Sequence, residues 1–235
     1  MKTLIIIPAF NEEASILNTV NYVYEYNAKY KTDFDVIVIN DGSIDKTEQI
    51  LVDNNIPHIC LIKNLGIGGA VQTGYKYAAL KNYDVAVQFD GDGQHDISFV
   101  KDLVNKICDG SDMVIGSRFI NSEKSGFKSS AARRLGIKII SAFIKLLTGK
   151  KVFDPTSGFR ACNKELISFF AEYYPTEYPE PVSEVTVLKH RFKISEIPAN
   201  MYERQGGQSS IHAWKNVYYM INVTVAMVLE SVKGY

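Results

Sequence analysis

Asp90-Gly91-Asp92-Gly93-Gln94-His95 sets two carboxylates two positions apart on a glycine-rich turn. Glycine lets the backbone bend closely, so Asp90 and Asp92 can face one divalent cation. A cation between protein carboxylates and a diphosphate would offset the charge of a leaving group. An EF-hand loop needs Gly at its sixth position and Glu at its twelfth; here those are His95 and Lys101. A plain Asp/Gly turn and an Asp-x-Asp hydrolase turn remain alternatives to the metal–diphosphate reading. His95 reads as a structural hydrogen-bonding residue beside the turn rather than as a catalyst.

Three further turns carry groups of the same kind. Asn64-Leu-Gly-Ile-Gly-Gly69 precedes a helix, and a glycine turn at a helix N-terminus suits an anion. Its match to GxGxxG is poor, and it follows the third predicted strand, so a dinucleotide fold is disfavoured. Nucleotide or phosphate approach, through Asn64 and Gly66, is the better reading, with a tight structural turn as the alternative. Pro8-Ala-Phe-Asn-Glu12 and Asn40-Asp-Gly-Ser43 end the first two predicted strands. Asp41 can accept from a base N–H, Phe10 can pack on a base or ribose, and Glu12 can receive ribose hydroxyls. Taken singly, these peptides are ordinary turns.

The elements that must position them alternate. Leu4–Ile7 and Asp35–Ile39 are short apolar runs, as buried strands require. Strands at 58–62 and 85–89 complete the series, with helices at 13–30, 46–54 and 70–81. Ser43 or Asp45 can cap the second helix. This β-α order predicts an α/β fold: a Rossmann-like, mostly parallel sheet flanked by helices. Right-handed crossovers put the strand C-termini along one edge, where ligands of such sheets sit. A helix at 98–108 and a strand at 112–116 follow. The second half is less regular: a polar loop at 121–130, a helix at 131–147, a turn at 154–160, an aromatic and proline-rich loop at 173–181, a strand at 193–198 and a final helix at 211–232. Residues 1–210 read as one domain and 211–235 as a C-terminal amphipathic helix.

The chain has 235 residues, of which 46% are hydrophobic, enough for a sizeable core. Lys+Arg and Asp+Glu balance at 26 each, which gives no global field to attract nucleic acid. Cys60, Cys108 and Cys162 are scattered and read as free thiols of a reducing compartment. No apolar stretch approaches the roughly 18 residues of a membrane span. The expectation is a cytoplasmic protein that touches a membrane from its inner face. Two amphipathic helices bear on that contact. The helix at 131–147 sets Leu135, Ile139, Ala142, Phe143 and Leu146 beside Arg133, Arg134, Lys138 and Lys145. The last helix carries Trp214, Val217, Tyr218, Ile221, Val225, Val228 and Leu229. Each suits a membrane surface or the domain's own core, and the last also suits a homodimer or a membrane-protein partner.

In this order, Pro-Ala-Phe-Asn-Glu, Asn-Asp-Gly-Ser, Asn-x-Gly-x-Gly-Gly-Ala and Asp-Gly-Asp-Gly-Gln-His resemble family 2 glycosyltransferases of the GT-A fold. The branch most resembled is that of dolichyl- and polyprenyl-phosphate sugar transferases. The likeness continues through Gly116-Ser-Arg118, Asp154-x-x-Ser-Gly-Phe-Arg160 and Arg204-x-Gly-Gly-x-Ser-Ser210. The resemblance implies an inverting, metal-dependent transferase with a UDP- or GDP-sugar donor and Mg2+ or Mn2+. Pro8, Phe10, Glu12 and Asp41 would contact the nucleoside, and Asp90, Asp92 and Gln94 would serve the metal and diphosphate. Arg118, Arg133 and Arg204 would face phosphate groups of acceptor or donor, with Ser157, Arg160 and Ser209 also at the acceptor. The acceptor would be a polyprenyl phosphate or, alternatively, a lipid-linked or cell-surface saccharide. A phosphate is already ionised and needs positioning by arginine. A sugar hydroxyl needs a general base, for which Asp154 is the first candidate and Glu180 the second. A nucleotide-sugar-binding partner subunit is the non-enzyme alternative.

Overall fold

The computed structural model describes residues 1–120, 131–201 and 213–233, without the side chains of 131–133 and 213–219. The first half alternates as expected. Strands β1 (Thr3–Ala9), β2 (Asp35–Asn40), β3 (His58–Cys60) and β4 (Val85–Gln88) alternate with helices α1 (Ile16–Tyr30), α2 (Thr47–Asp53) and α3 (Gly66–Leu80). All four strands run parallel, in the order β3-β2-β1-β4. Successive strand residues point to opposite faces, which explains the unbroken apolar run of β1. Leu4 and Ile6 enter one core while Ile5 and Ile7 enter the other, and all four are fully buried.

The second half completes one seven-stranded sheet, continuing β4-β6-β5-β7. A 3-10 turn at Ile97–Phe99 leads into α4 (Val100–Cys108), followed by β5 (Met113–Ser117) and α5 (Ala131–Thr148). Then come β6 (Arg160–Asn163), α6 (Lys164–Glu172), α7 (Pro179–Lys189), β7 (Ile194–Pro198) and α8 (Ala213–Val232). β6 lies antiparallel between β4 and β5, so it is the strand that runs against the others. Its N-terminal end therefore meets the sheet edge where the parallel strands finish. α8 packs on α7 and α5, burying Val223 and Met227.

Several elements differ from expectation. α3 begins at Gly66 rather than Ala70, so the glycines form its first turn. Glycine is a poor helix former, but here its lack of a side chain lets other backbone approach. A Cβ on Gly68 would lie 2.5 Å from the carbonyl oxygen of Thr176. α7 starts within the expected loop, with Pro179 in its first turn, where a missing N–H costs nothing. β6 and α6 had no sequence signal of their own; β6, Arg-Ala-Cys-Asn, is too short to show a period.

A Cβ on Gly74 would lie 2.3 Å from Cγ2 of Ile6, where α3 crosses β1. Overpacking a core contact costs about 1–3 kcal/mol, against a helix-propensity gain of about 1 kcal/mol for Gly to Ala. Gly74→Ala is therefore expected to lower the urea midpoint of unfolding instead of raising it.

Candidate active site

The C-terminal ends of the parallel strands open onto a pocket of about 610 Å3. Two of its turns are fastened to each other. Asn11, at φ 55° after β1, donates its backbone N–H to Ser43 Oγ and accepts from Ile44 N through Oδ1. Glu12 N donates to Thr47 Oγ1, Glu13 N to Asp45 Oδ2, and Lys46 N to Glu13 Oε2. Asp45 Oδ1 also accepts from Thr47 N, but the N-cap of α2 is Lys46, without a side-chain cap bond, so neither Ser43 nor Asp45 stands at the predicted cap. This lattice fixes Phe10, which is exposed, and Glu12, whose Oε2 accepts from Ser15 Oγ at 2.6 Å.

Asp41 sits where β2, β1 and the Asn64 turn converge. Its backbone N–H donates to Ala9 O, and its Oδ1 accepts from Leu65 N at 2.7 Å. Burial pushes its carboxyl above the ordinary value of 3.8, while the backbone donors of Leu65 and Gly66 pull it down. Gly42 has φ 67°, and a Cβ there would lie 2.8 Å from backbone of Lys63 and Asn64. Glycine is thus required for the two turns to touch. Asn64 accepts from Gly66 N, and Gly66, Ile67 and Ala70 bring the N-terminus of α3 to the pocket.

Asp90, Gly91 and Asp92 line the opposite wall. Gly91 lies against β1, where a Cβ would meet Pro8 O at 3.1 Å. Asp92 is 4% exposed, and its Oδ1 accepts from Gln94 N. The Gln94 side chain does not line the pocket; the turn brings Asp90 and Asp92 there without it. His95 supports the turn from below, stacked on Phe159 at 4.7 Å. Its Nδ1 accepts from Asp90 N, which leaves the ring proton on Nε2, 3.4 Å from Asp90 Oδ2. Burial pushes this imidazole down to about 4; Asp92 pulls it up and Arg118 pushes it further down. His95 is therefore a neutral, structural partner of the turn.

One segment, Asp154–Arg160, ties the second half of the chain to this wall. Asp154 is fully buried, and its carboxylate takes Arg118 in two parallel bonds: Nε to Oδ2 at 2.8 Å and Nη2 to Oδ1 at 2.6 Å. Arg118 N also donates to Oδ2, at 2.9 Å. Ser157 Oγ donates to Gly116 O. Gly158 lies so close to the acidic turn that a Cβ would sit 3.0 Å from Asp90 Oδ2. Arg160 is fully buried and donates to Ser157 O, Glu180 O, Ser183 Oγ and Glu184 Oε1.

The geometry corrects several expectations. Asp154 holds Arg118 and does not face the pocket as a base. Arg160 and Ser157 point inward to fasten α7 and β5, not to an acceptor, because each finds its partners inside the protein. Glu180, in the first turn of α7, is the carboxylate that reaches the pocket from this half. Burial pushes it up, and Arg160 pulls it down. Arg204 and Ser209 lie outside the described residues, as does the side chain of Arg133. Sequence reasoning missed Glu196, whose carboxylate accepts from Phe153 N and Asp154 N. Nothing in Ile-Ser-Glu-Ile-Pro marks that residue, since its partners lie more than forty positions away.

Among the described residues, no group of three or more His, Cys, Asp or Glu could hold a metal ion alone. Asp90 and Asp92, both lining the pocket, could offer hard oxygen ligands. That donor set suits Mg2+ or Mn2+ completed by ligand oxygens and water.

Comparison with known proteins bears on the family and the fold. Residues 4–169 match the model of Glycosyl transferase family 2. The chain is 30% identical to UDP-N-acetylglucosamine--dolichyl-phosphate N-acetylglucosaminyltransferase of Methanococcus voltae, over 96% of this chain and 97% of that one. It is 25% identical to polyprenol monophosphomannose synthase of Mycolicibacterium smegmatis, over 89% and 81% of the two chains. Glucosyl-3-phosphoglycerate synthase from Mycobacterium tuberculosis, solved with Mn2+ and UDP-glucose, superposes with a TM-score of 0.70 at 18% identity, covering 100% of this chain and 80% of that one. That likeness is one of fold, the GT-A arrangement expected from the ordered turns.

Removing one partner of a buried ion pair costs about 3–5 kcal/mol, because the other charge is left uncompensated. Asp154→Ala is expected to lose that much in urea unfolding. Arg118→Met combined with Asp154→Leu is expected to lose clearly less than the two single losses together.

Proposed function

The chain belongs to glycosyl transferase family 2, and from that membership and the pocket we propose an inverting transfer of a sugar from a UDP- or GDP-sugar to a polyprenyl phosphate at the cytosolic membrane face. The observation that carries the donor half is the single pocket that gathers Phe10, Glu12, Asp41, the start of α3, Asp90 and Asp92. Phe10 packs on the base, ionised Asp41 accepts from a base N–H, and Glu12 takes the ribose hydroxyls. The N-terminus of α3 presents its backbone N–H groups and its dipole to the diphosphate. Asp90 and Asp92 would hold a divalent cation, which when bound offsets the charge of the leaving nucleotide.

Two observations support a phosphate acceptor. The Methanococcus and Mycolicibacterium relatives are named for transfer to dolichyl phosphate and polyprenol phosphate. The carboxylate first expected as a base, Asp154, is fully buried against Arg118. An ionised phosphate attacks without a base, so a chain whose Asp154 is committed to Arg118 fits that acceptor. A second reading, extension of a lipid-linked saccharide at a hydroxyl, is favoured by Glu180 alone, whose raised carboxyl lines the pocket.

A panel of UDP-, GDP- and dTDP-sugars with and without polyprenyl phosphate tests the proposal through nucleotide release. Acceptor-dependent release with one donor class is expected, and chelation or Asp92→Ala should lower it by about a hundredfold or more. Metal-independent binding without turnover would instead identify a nucleotide-sugar-binding subunit. Glu180→Gln should leave transfer to a phosphate intact but abolish transfer to a hydroxyl.

Asp41 adds a pH dependence. Its carboxyl is raised by burial, so nucleotide affinity should be complete well above that raised value and fall as pH drops through it. Calorimetric titration with the matching nucleoside diphosphate should show this fall at a pH above 3.8, and Asp41→Asn should bind weakly with a flat profile.

A further inference from the structure

Gln88 ends β4 on the sheet face that it shares with Ile6 and Ala86, both core residues. Its partner across the strands is Arg160, and direct cross-strand neighbours lie on one face. The two buried polar side chains are answered differently. Arg160 meets Ser157 O, Glu180 O, Ser183 Oγ and Glu184 Oε1. Gln88 is 1% exposed and uses only its amide nitrogen, Nε2 donating to Asp90 Oδ1 at 3.5 Å. Its Oε1 has no hydrogen-bond partner among the described residues. Burying an amide with an orphaned oxygen lowers stability, so packing alone gives no reason for glutamine here.

The surroundings supply one. Gln88 does not line the pocket, but the two carboxylates beside its amide do, Asp90 from the acidic turn and Glu180 from α7. Burial raises the Glu180 carboxyl, Asp90 adds to that rise, and Arg160 and Gln88 lower it. The amide nitrogen thus serves two like charges, one from each half of the chain. That pair also fixes which end of the amide is the nitrogen, because an oxygen there would be repelled. On its other oxygen Asp90 has His95, whose Nε2 lies 3.4 Å from Oδ2. Contacts on both oxygens oppose rotation of the Asp90 carboxylate. Gly158 closes the space behind it, where a Cβ would lie 2.9 Å from Gln88 Nε2 and 3.0 Å from Asp90 Oδ2.

We propose that Gln88 is a positioning residue for the divalent cation: acting through Asp90, it sets that carboxylate in one orientation toward the pocket, and its amide offsets the repulsion between Asp90 and Glu180. The inference rests on the cation site proposed at Asp90 and Asp92. Gln88 touches neither cation nor sugar in this role. A ligating carboxylate that loses such a partner loses about 10–100-fold in metal affinity.

Calorimetric titration of the intact chain with UDP and with GDP, each with and without Mn2+, is the measurement, joined to urea unfolding of the metal-free chain. Mn2+ is expected to tighten nucleotide binding by the parent. Gln88→Met keeps the length of the side chain and removes the amide. It should bind nucleotide without metal as the parent does and lose about tenfold or more of the Mn2+ enhancement. Its urea midpoint should be no lower than the parent's, since the orphaned oxygen goes with the amide. Gly158→Ala keeps both side chains but displaces their tips, and it should lose the enhancement with little change in midpoint. A lowered midpoint in Gln88→Met marks a merely structural glutamine and overturns the proposal. So does a loss of metal-free binding as large as the loss with Mn2+, or a full enhancement in Gly158→Ala. A parent whose nucleotide affinity ignores Mn2+ removes the cation reading and this inference with it. A parent that responds, beside a Gln88→Met chain that responds equally, removes this inference alone.

Discussion

Burying a guanidinium is tolerable only if its charge and its N–H groups are met, and here Arg118 is met by a fully buried Asp154. That requirement organises the catalytic end of the sheet. Asp154 stays in place because Glu196 on β7 accepts from its backbone N–H and that of Phe153. From there the chain runs past Gly116, packs Gly158 against Asp90 and stacks Phe159 under His95 before entering β6. Arg160, equally buried, then fastens the start of α7 and so sets Glu180 at the pocket. Two buried arginines, each with its own carboxylate, thus transmit the position of β5, β6 and α7 to the acidic turn.

The pocket itself is electrostatically unbalanced. Asp41, Asp90, Asp92, Glu12 and Glu180 all line it, and among the described residues no basic side chain does. Such a cluster repels a diphosphate unless positive charge enters with it, through the start of α3 or a bound cation. Burial of Asp41 and Glu180 raises both carboxyls.

Local fastening and long-range support divide along the chain. The turns after β1 and β2 hold each other through side-chain caps within a few residues of their strands. The acidic turn and the second half hold each other only through contacts far apart in sequence, such as His95 with Phe159 and Met201. The first arrangement is robust to changes later in the chain, while the second exists only when the whole sheet is assembled.

That division also separates what could be read from the residues alone. Buried strands read as apolar runs, parallel order follows from β-α alternation, and Asp41, Asp90 and Asp92 fall at one edge because right-handed crossovers leave no other place. All of that is local pattern plus chirality, and the sequence by itself determined it. It could not determine that Asp154 turns to Arg118, that Arg160 is buried under α7, or that β6 runs against its neighbours. It also read Gly68 and Pro179 as loop, although both stand in the first turn of a helix, Gly68 against the carbonyl of Thr176. Those outcomes depend on partners some 20 to 110 residues distant, and no periodicity records such a partner. Tertiary structure decided them, because a buried charge takes whichever opposite charge the assembled sheet brings within reach.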